Sequence, residues 1–469
     1  MFKGGQTLLK AVSRCVGRSN AVKLKRFNNV PKNQFNTASA MADKFKLPTR
    51  YGTGEKSVWV EYIQLALDHK PKANLGQGFP NFYPPDHITN ALAAAATSKN
   101  PLLNQYTRGF GHPRLVNSLA KLYSPLVCQN LNPQTQILVT IGAYEALYTA
   151  ILGHVDRGDE VIVIEPYFDC YEFMITRAGG TAKYIPLKPV PDPNCGNNLT
   201  SANWKLDMQH LESLFNCCTK MIILNTPHNP TGKVFTMEEM QVIACLCQKF
   251  NVICLADEVY EWLVFEPKQH VKMATFPGMW ERTLTIGSAG KMFSVTGWKT
   301  GWLYGPANLI YNCTVVHQNC VYTCLTPIQE AIASTIEYEL ARFNTPECYL
   351  RSLSKELVPK RDYLANALKE SGFIPHIPDS GYFMMADWSK LADKIDLSKE
   401  KDEYADYRFT KKFAKETSVL TLPPSAFFSK KSKKLGENFA RFCFIKQDEN
   451  LATAAKQMKD WFCSKKLKS

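Results

Sequence analysis

Short apolar runs alternate with longer amphipathic segments from about residue 135 onward. The chain contains the runs QILVTIG (136–142), DEVIVIEP (159–166), KMIILN (220–225), VICLADEVY (252–260) and RTLTIGSAGK (282–291). The segments between them space their apolar residues as helices do. Strands that are apolar on both faces and separated by amphipathic helices are typical of a parallel sheet covered on both sides. We therefore predict an α/β fold with a mostly parallel sheet, whose ligand lies beyond the carboxyl ends of the strands.

The alternation fades after about residue 340, which predicts a second, smaller α+β domain. Helical patterns there enclose two further candidate strands, GYFMMADW and NFARFCFI. We divide the chain into a basic extension (1–42), an N-terminal arm with part of the small domain (43–87), a large ligand-binding domain (88–339) and a C-terminal small domain (340–469).

The net charge of +14 comes largely from the first 42 residues. They contain eight Lys/Arg and no Asp or Glu, which leaves 48 Lys/Arg against 42 Asp/Glu in the rest of the chain. A basic, acid-free and amphipathic start is typical of a mitochondrial transit peptide, and the alternative is a disordered basic arm. Met41 offers an internal start that would give a cytosolic form. We expect no nucleic-acid partner.

The 15 cysteines do not indicate a disulfide or metal framework. The chain has no CxxC pair, and its close cysteine pairs lack histidines at zinc spacing. Several lie in apolar runs, where cysteine is usually a small buried side chain. We expect free thiols and no metal, and because the apolar runs are far too short to span a bilayer, no membrane partner.

Two candidate ligand groups follow predicted strands. Asp257 ends an apolar run, and a buried carboxylate needs a donor or cation, such as a protonated ring nitrogen. The alternatives are a helix cap or a salt bridge. Tyr260 would add a phenolic donor nearby. Asn229, in NTPHNPTG (225–232), is either part of a rigid turn or an amide held rigidly toward a ligand oxygen.

The stretch SAGKMFSVTGWKTG (288–301) contains two lysines with distinct predicted roles. A phosphate loop of the form GxxxxGK[ST] is excluded, because Thr285 replaces its first glycine and Met292 its Ser/Thr. Lys291 follows a predicted strand, where partial desolvation would free its amine to form a Schiff base. Lys299 is either a surface residue or a second cation for an anionic group. Two lysines and a ring-pairing aspartate indicate a phosphorylated pyridine aldehyde.

The motifs carry a specific family resemblance. From about residue 45 to the C-terminus the chain resembles the fold-type I, class I aminotransferases, which use pyridoxal 5'-phosphate. The resemblance rests on NPTGKVF, ADEVYEWLVF and SAGKMFSVTGWKTGW. Within that class, NLGQGFPNFYPPD, LLNQYTRGFGHPRL, IEPYFDCYEFM and GWKTGW resemble the kynurenine aminotransferase subgroup, also called glutamine transaminase K or cysteine S-conjugate β-lyase. Lys299, where the broad class usually has Arg, is expected in this subgroup.

The resemblance implies roles around the cofactor ring. Lys291 would bond to the cofactor's aldehyde carbon and later move a proton between the substrate α-carbon and C4' of the cofactor. Asp257 would pair with the pyridinium nitrogen. Asn229 and Tyr260 would bind the ring oxygen, and Phe168 would stack on the ring. A phenylalanine in its run would otherwise more often belong to the core.

The resemblance also implies a phosphate site and a substrate site. Ser288, Lys299 and the backbone amides of Gly142, Ala143 and Tyr144 would bind the phosphate. Arg441 would bind the substrate α-carboxylate as a bidentate fork, although from its strand pattern alone it would face solvent on an edge strand. The set is completed by Gly76, which would approach the same carboxylate, and by the aromatic residues Trp59, Tyr106 and Tyr322, which would line the side-chain pocket.

The implied protein is a two-fold symmetric dimer in which Tyr106 reaches the partner's site and its phosphate. It would transaminate L-kynurenine to kynurenic acid, and other aromatic, glutamine-like or sulfur amino acids, with a 2-oxo acid acceptor. The main alternative is a β-lyase for cysteine S-conjugates on the same scaffold. A ligand-binding protein that has lost catalysis is disfavoured, because Lys291, Asp257, Asn229, Tyr260 and Arg441 are all present.

Overall fold

Buried strands and the helices between them make up most of the chain. The computed structural model of the protein describes residues 57–190 and 199–466, together with 45, 47 and 48, and the described residues from 57 onward belong to one compact unit. The strands are β1 (Ala73–Asn74), β2 (Ile137–Thr140), β3 (Glu160–Glu165), β4 (Thr181–Pro186), β5 (Lys188–Pro189), β6 (Trp204–Lys205), β7 (Thr219–Asn225), β8 (Ile253–Asp257), β9 (Thr283–Ser288), β10 (Gly301–Tyr304), β11 (Ile374–His376), β12 (Phe383–Asp387), β13 (Val419–Leu420) and β14 (Phe439–Cys443).

Helices connect these strands along most of the chain. The α-helices are α1 (Val58–His69), α2 (Asp86–Ala96), α3 (Pro113–Tyr123), α4 (Gly142–Leu152), α5 (Cys170–Ala178), α6 (Met208–Leu214), α7 (Met237–Phe250), α8 (Ala289–Met292), α9 (Ala307–Cys320), α10 (Thr326–Ala341), α11 (Tyr349–Glu370), α12 (Ala405–Thr417) and α13 (Asp448–Lys466). None of the helices described is long and apolar enough to cross a membrane.

The central sheet has seven strands in the order β2-β10-β9-β8-β7-β3-β4. The five strands from β9 to β4 are parallel, whereas β10 is antiparallel to both β2 and β9. The predicted mostly parallel sheet is confirmed. Strands β4 and β10 were not among the predicted strands. Because β10 follows the two-lysine segment without a full helix between, it pairs antiparallel with β9.

Both faces of the central sheet are buried. Ile222 and Leu224 of β7 pack on one face, in a core that includes residues of α7. Ile223 of the same strand packs on the other face, in a core that includes residues of α4, α5 and α9. This alternation explains why the strands read as continuous apolar runs.

A three-stranded antiparallel sheet of order β11-β12-β14 lies in the C-terminal part of the chain, which has the predicted α+β character. The N-terminal strand β1 pairs with β13, and the amide of Cys443 donates to the carbonyl of Leu75 at 2.7 Å. The chain that follows β1 is thereby held beside β14. The predicted domain boundaries at residues 88 and 340 stay a prediction.

The cysteines in the described part of the chain are all free thiols, as expected. The predicted basic extension, residues 1–42, lies outside the described residues.

Candidate active site

A cavity of about 430 Å³ opens where the central strands end. Its wall includes Asn225, Asp257 and Ser288, the last residues of β7, β8 and β9, and Gly142, the first residue of α4. The cavity therefore lies at the carboxyl ends of the strands, where the sequence predicted the ligand. The lysine-bearing segment and β14 complete the enclosure, so both parts of the fold contribute to one site.

Asp257 presents one unsatisfied carboxylate oxygen. The hydroxyl of Tyr171 donates to Oδ2 at 2.5 Å, and the amide of Asn225 fixes the backbone by donating to the carbonyl of Asp257 at 2.9 Å. Oδ1 is buried and has no hydrogen-bond partner among the described residues. Burial raises the pKa of Asp257 to about 6. A protonated pyridine nitrogen would supply the donor that Oδ1 lacks.

The neighbouring carboxylate behaves differently. Glu258 is paired with Lys272 and His270, each at 2.9 Å. Although burial opposes ionisation, Lys272 and His270 together lower the pKa of Glu258 to about 2. The salt-bridge alternative therefore describes Glu258, whereas Asp257 remains available to a ligand.

Lys291 lies in the short helix α8, directly after β9, and its amine reaches the cavity wall. Nζ donates to the hydroxyl of Tyr382 at 2.6 Å, and that hydroxyl donates to the carbonyl of Gly78 at 3.1 Å. Burial lowers the pKa of Lys291 to about 8, so a minor but substantial fraction of the amine, roughly a fifth, is neutral near physiological pH. Tyr382 was not among the predicted site residues.

The predicted phosphate-binding groups converge at the N-terminus of α4. A Cβ on Gly301 would lie 2.5 Å from the amide nitrogen of Ala143, so only glycine lets β10 approach the helix start so closely. Lys299 takes the left-handed conformation (φ 51°), and its Nζ lies 3.6 Å from where a Cβ on Gly142 would stand. A cation beside the positive end of a helix is unfavourable unless an anion joins them. Ser288 and Tyr144 also line the cavity.

Phe168 and Tyr260 form aromatic walls of the cavity. Phe168 also packs against the core beside α4 and α5, and its stacking on a ligand ring stays a prediction. Tyr260 is buried, and Nζ of Lys291 lies 5.7 Å from its ring centroid.

Asn229 lies in the turn that follows β7 and also lines the cavity. Its backbone amide donates to Oδ1 of Asn225 at 2.7 Å, which makes the turn rigid. Its own Oδ1 accepts a hydrogen bond from Nη1 of Arg441 at 3.3 Å. The rigid turn is confirmed, and the binding of a ligand oxygen by the Asn229 amide stays a prediction.

Arg441 is 1% exposed, so the solvent-facing alternative is wrong. The backbone of Leu422 pairs with the strand edge beside it, and the ring of Phe383 lies 3.9 Å from Cζ. Nη2 donates to the carbonyl of Gly76 at 3.1 Å, while Nε has no partner among the described residues. Burial lowers the pKa of Arg441 to about 10. A buried guanidinium without a paired carboxylate favours an anionic ligand.

The remaining predicted substrate residues are only partly brought together. Trp59 lines the cavity, and its Nε1 donates to Asp169 at 2.9 Å. Gly76 contacts the site through its carbonyl on Arg441. Tyr106 and Tyr322 do not line this cavity. They are 83% and 60% exposed, and their rings meet edge to face with centroids 5.9 Å apart.

Two contacts were missed from the sequence, namely those of Tyr171 and Tyr382. Tyr171 lies three residues beyond Phe168, on the first turn of α5, and Tyr382 directly precedes β12. Each belongs to a motif that we quoted, IEPYFDCYEFM or GYFMMADW. The presence of each tyrosine in a quoted motif was the available signal. The spacing of the motifs does not indicate that either tyrosine contacts a residue about 90 positions away.

Known proteins share both the sequence and the fold. Residues 70–458 match the family model "Aminotransferase class I and II". The chain is 50% identical over 428 residues to kynurenine–oxoglutarate transaminase 3 of Bos taurus (91% of this chain, 92% of the relative). It is 44% identical over 404 residues to kynurenine–oxoglutarate transaminase 1 of Homo sapiens (86% and 95%).

Solved structures agree with these sequence relatives. Bna3p from Saccharomyces cerevisiae superimposes with a TM-score of 0.80 at 32% identity (92% of this chain, 99% of the other). N-succinyldiaminopimelate aminotransferase from Mycobacterium tuberculosis gives 0.78 at 34% identity (89% and 100%). With a lysine, a buried aspartate and a buried arginine around one cavity, the chain belongs to the class I and II aminotransferase family.

Proposed function

We propose that the protein transfers the amino group of L-kynurenine to a 2-oxo acid, with pyridoxal 5'-phosphate as cofactor, and that kynurenic acid is the product. The observation that supports this most is that Lys291, Asp257 and Arg441 face a single cavity, where Oδ1 of Asp257 and Nε of Arg441 have no hydrogen-bond partner among the described residues. The relatives named kynurenine–oxoglutarate transaminase support the choice of substrate. Other aromatic, glutamine-like and sulfur amino acids are the further donors that we propose.

The groups lining the cavity fit the cofactor at each of its ends. Oδ1 of Asp257 would accept a hydrogen bond from the pyridinium nitrogen. Asn229 and Tyr260 would bind the ring oxygen, and Phe168 would stack on the ring. The phosphate would be held by Lys299, Ser288 and the amides of Gly142, Ala143 and Tyr144. When bound, the cofactor supplies an aldehyde that takes up the amino group and a ring that accepts charge from the substrate α-carbon.

Lys291 would act as the proton carrier. With a pKa near 8, its amine can take a proton from the substrate α-carbon and would deliver it to C4' of the cofactor. Tyr382 would keep the amine at the cavity wall between these two transfers. A fully solvated lysine would be charged at neutral pH and could not accept the proton.

Arg441 would bind the substrate carboxylate. Nε and the Nη groups offer parallel donors, and a carboxylate would neutralise the buried charge. The 2-oxo acid carries the same carboxylate, so one arginine would serve both substrates. Trp59 and the neighbouring aromatic rings offer an apolar surface to the side chain, which suits kynurenine.

We further propose a homodimer in which Tyr106 and Tyr322 enter the partner's site, since both are exposed in their own subunit. Mixing Lys291→Ala with Tyr106→Ala protein tests this. Half of the random dimers would then carry one intact site, so activity should return to about a quarter of the wild-type value. Mixed protein that stays as inactive as its components would contradict the shared site.

The decisive test of function is an assay of purified protein with L-kynurenine and several 2-oxo acids, with formation of kynurenic acid as the readout. Lys291→Ala is the control and should bind pyridoxal 5'-phosphate without a borohydride-reducible bond. Absence of kynurenic acid with every acceptor would reject the proposed substrate. A parallel assay for pyruvate release from a cysteine S-conjugate measures the β-lyase alternative.

The composition of residues 1–42 supports import into mitochondria, which we propose as the location. Fractionation of cells expressing the full chain, followed by N-terminal sequencing, tests this. Recovery of only uncleaved protein in the cytosol would contradict it.

A further inference from the structure

A buried pair of titratable residues lies behind the phosphate-binding end of α4. Glu145 is in the first turn of α4, and His317 is in the last turn of α9. Nδ1 of His317 lies 2.6 Å from Oε1 of Glu145, and the histidine side chain is 1% exposed. Neither residue lines the cavity, so neither can touch the cofactor or the substrate.

The partners of His317 define its protonation. Nε2 lies 2.8 Å from the carbonyl oxygen of Gly109, which can only accept, so Nε2 carries a proton. Nδ1 faces the carboxylate of Glu145, whose other oxygen accepts from the amide of Ile141 at 2.5 Å. The N-terminus of α4 favours a negative Glu145, and the C-terminus of α9 favours a positive His317. The hydrogen bond between the two side chains therefore joins groups whose opposite charges both helix ends favour.

These bonds join three segments that surround the site. Glu145 holds the amide of Ile141, directly before the proposed phosphate-binding amides. Nε2 of His317 holds Gly109, three residues after Tyr106. The backbone carbonyl of His317 accepts from the amide of Tyr322 at 3.2 Å.

The two tyrosine-bearing loops also contact each other. A Cβ on Gly109 would lie 3.0 Å from the carbonyl oxygen of Tyr322, so glycine permits this close approach. The hydroxyl of Thr323 donates to the carbonyl of Thr107 at 3.4 Å. A movement of one loop would therefore displace the other loop and, through the hydrogen bonds of His317, the start of α4.

We propose that the Glu145–His317 bridge is a positioning element that fixes the phosphate-binding end of α4 relative to the loops bearing Tyr106 and Tyr322. By holding the backbone amides at this end of α4 in place, the bridge would raise the affinity for the phosphate group without contacting it. This inference rests on the proposed function, because it assumes that these amides bind the cofactor phosphate.

Two substitutions separate the hydrogen bonds from the charges. His317→Leu removes every bond of the bridge. In Glu145→Gln, the amide group can donate to Nδ1 of a neutral His317 and its oxygen can still accept from Ile141, so all the bonds survive without charge. His154→Leu is the matched control. His154 is a half-buried histidine just beyond the other end of α4, and its Nδ1 lies 2.8 Å from the carbonyl oxygen of Ala150.

Binding of pyridoxal 5'-phosphate and of pyridoxal to cofactor-free protein is the first readout. We expect His317→Leu to weaken binding of the phosphate form at least tenfold and binding of pyridoxal less than threefold. Glu145→Gln and His154→Leu should stay within threefold of wild type for both. Equal losses for the two ligands in His317→Leu, or a loss in Glu145→Gln as large as in His317→Leu, would overturn the proposal.

Amide hydrogen exchange of cofactor-free protein is the second readout and does not depend on the cofactor. In His317→Leu, exchange should accelerate at least tenfold at residues 109–111 and 141–144, whereas His154→Leu should affect only the far end of α4. Unchanged exchange at these residues would overturn the bridge. Failure of wild-type protein to bind pyridoxal 5'-phosphate would instead reject the proposed function, and the exchange result would still test the bridge.

Discussion

The amine of Lys291 and the hydroxyl of Tyr382 are joined by a hydrogen bond of 2.6 Å. The single proton of the hydroxyl is directed to the carbonyl of Gly78, so its oxygen lone pairs must accept from the amine. This polarity leaves the lone pair of a neutral amine free for proton transfer. The ring of Tyr382 packs edge to face on Tyr260, with centroids 5.3 Å apart, which fixes the hydroxyl in turn.

Tyr382→Phe should impair proton transfer while leaving substrate binding intact. The ring keeps its packing, but the amine loses the acceptor that holds it, so we expect kcat to fall by about tenfold with KM within twofold. The primary isotope effect with an α-deuterated amino acid should rise, because proton transfer becomes slower. An unchanged isotope effect together with an unchanged kcat would show that Tyr382 has no positioning role.

The control for this variant is Tyr349→Phe. The hydroxyl of Tyr349 shares a hydrogen bond of 2.8 Å with Ser294 and does not line the cavity. Its loss should lower the unfolding free energy by about 1 kcal/mol and leave kcat unchanged.

Asp257→Asn should lower activity and raise the stability of the cofactor-free protein. The ionised carboxylate is buried with one oxygen unpaired, and its raised pKa of about 6 corresponds to a cost of roughly 3 kcal/mol above that pH. Because asparagine carries no charge but leaves an amide to be satisfied, we expect a gain of roughly 1–3 kcal/mol at pH 7.5. The half-reaction rate should fall by at least about a hundredfold.

The sign of the pH dependence of stability follows from the direction in which burial shifts the pKa of Asp257. Between about pH 4 and 6 the folded protein binds more protons at Asp257 than the unfolded chain does, so this group makes the protein less stable as the pH rises. Urea denaturation at pH 7.5 and near pH 4 measures this. The advantage of Asp257→Asn should be lost near pH 4, and an advantage that is equal at both pH values would contradict the role of the charge.

The strand ends of the site were predictable because they depend on local pattern. Asn225, Asp257 and Ser288 each follow an apolar run, and parallel strands bring their carboxyl ends to one edge of the sheet. Lys291 followed from the same reasoning, since it comes three residues after β9. The family resemblance then gave these residues their roles.

The remaining contacts depend on tertiary packing. Tyr382 meets Lys291 across 91 residues, and Tyr171 meets Asp257 across 86. Arg441 lies on an edge strand, and its burial depends on Leu422 and Phe383, which no strand pattern places beside it. Strand β10 was missed because it begins in the glycine- and threonine-rich stretch 288–301 and adds only three apolar residues to it, whereas β2, which is equally short, lies in the longer apolar run QILVTIG.

Lys299→Ala should weaken binding of pyridoxal 5'-phosphate by about tenfold and leave pyridoxal binding unchanged. The ammonium lies beside the N-terminus of α4, and a charge-assisted hydrogen bond to phosphate contributes about 1.5–3 kcal/mol, reduced here because the side chain is exposed. Lys249→Ala is the matched control, because Lys249 is also exposed but pairs with Glu212. Equal retention of both ligands would return Lys299 to the surface interpretation.

Arg441→Lys should raise KM for the amino acid and for the 2-oxo acid together, by about ten- to a hundredfold. Lysine keeps the charge but cannot offer parallel donors to a carboxylate, and it cannot also reach Gly76 and Asn229 as the guanidinium does. Lys446→Met is the control, since it removes a nearby buried cation that bonds to Gln77 and Phe79 outside the cavity. Because both substrates share the carboxylate, a rise in KM for only one of them would show that Arg441 binds something other than the group they have in common.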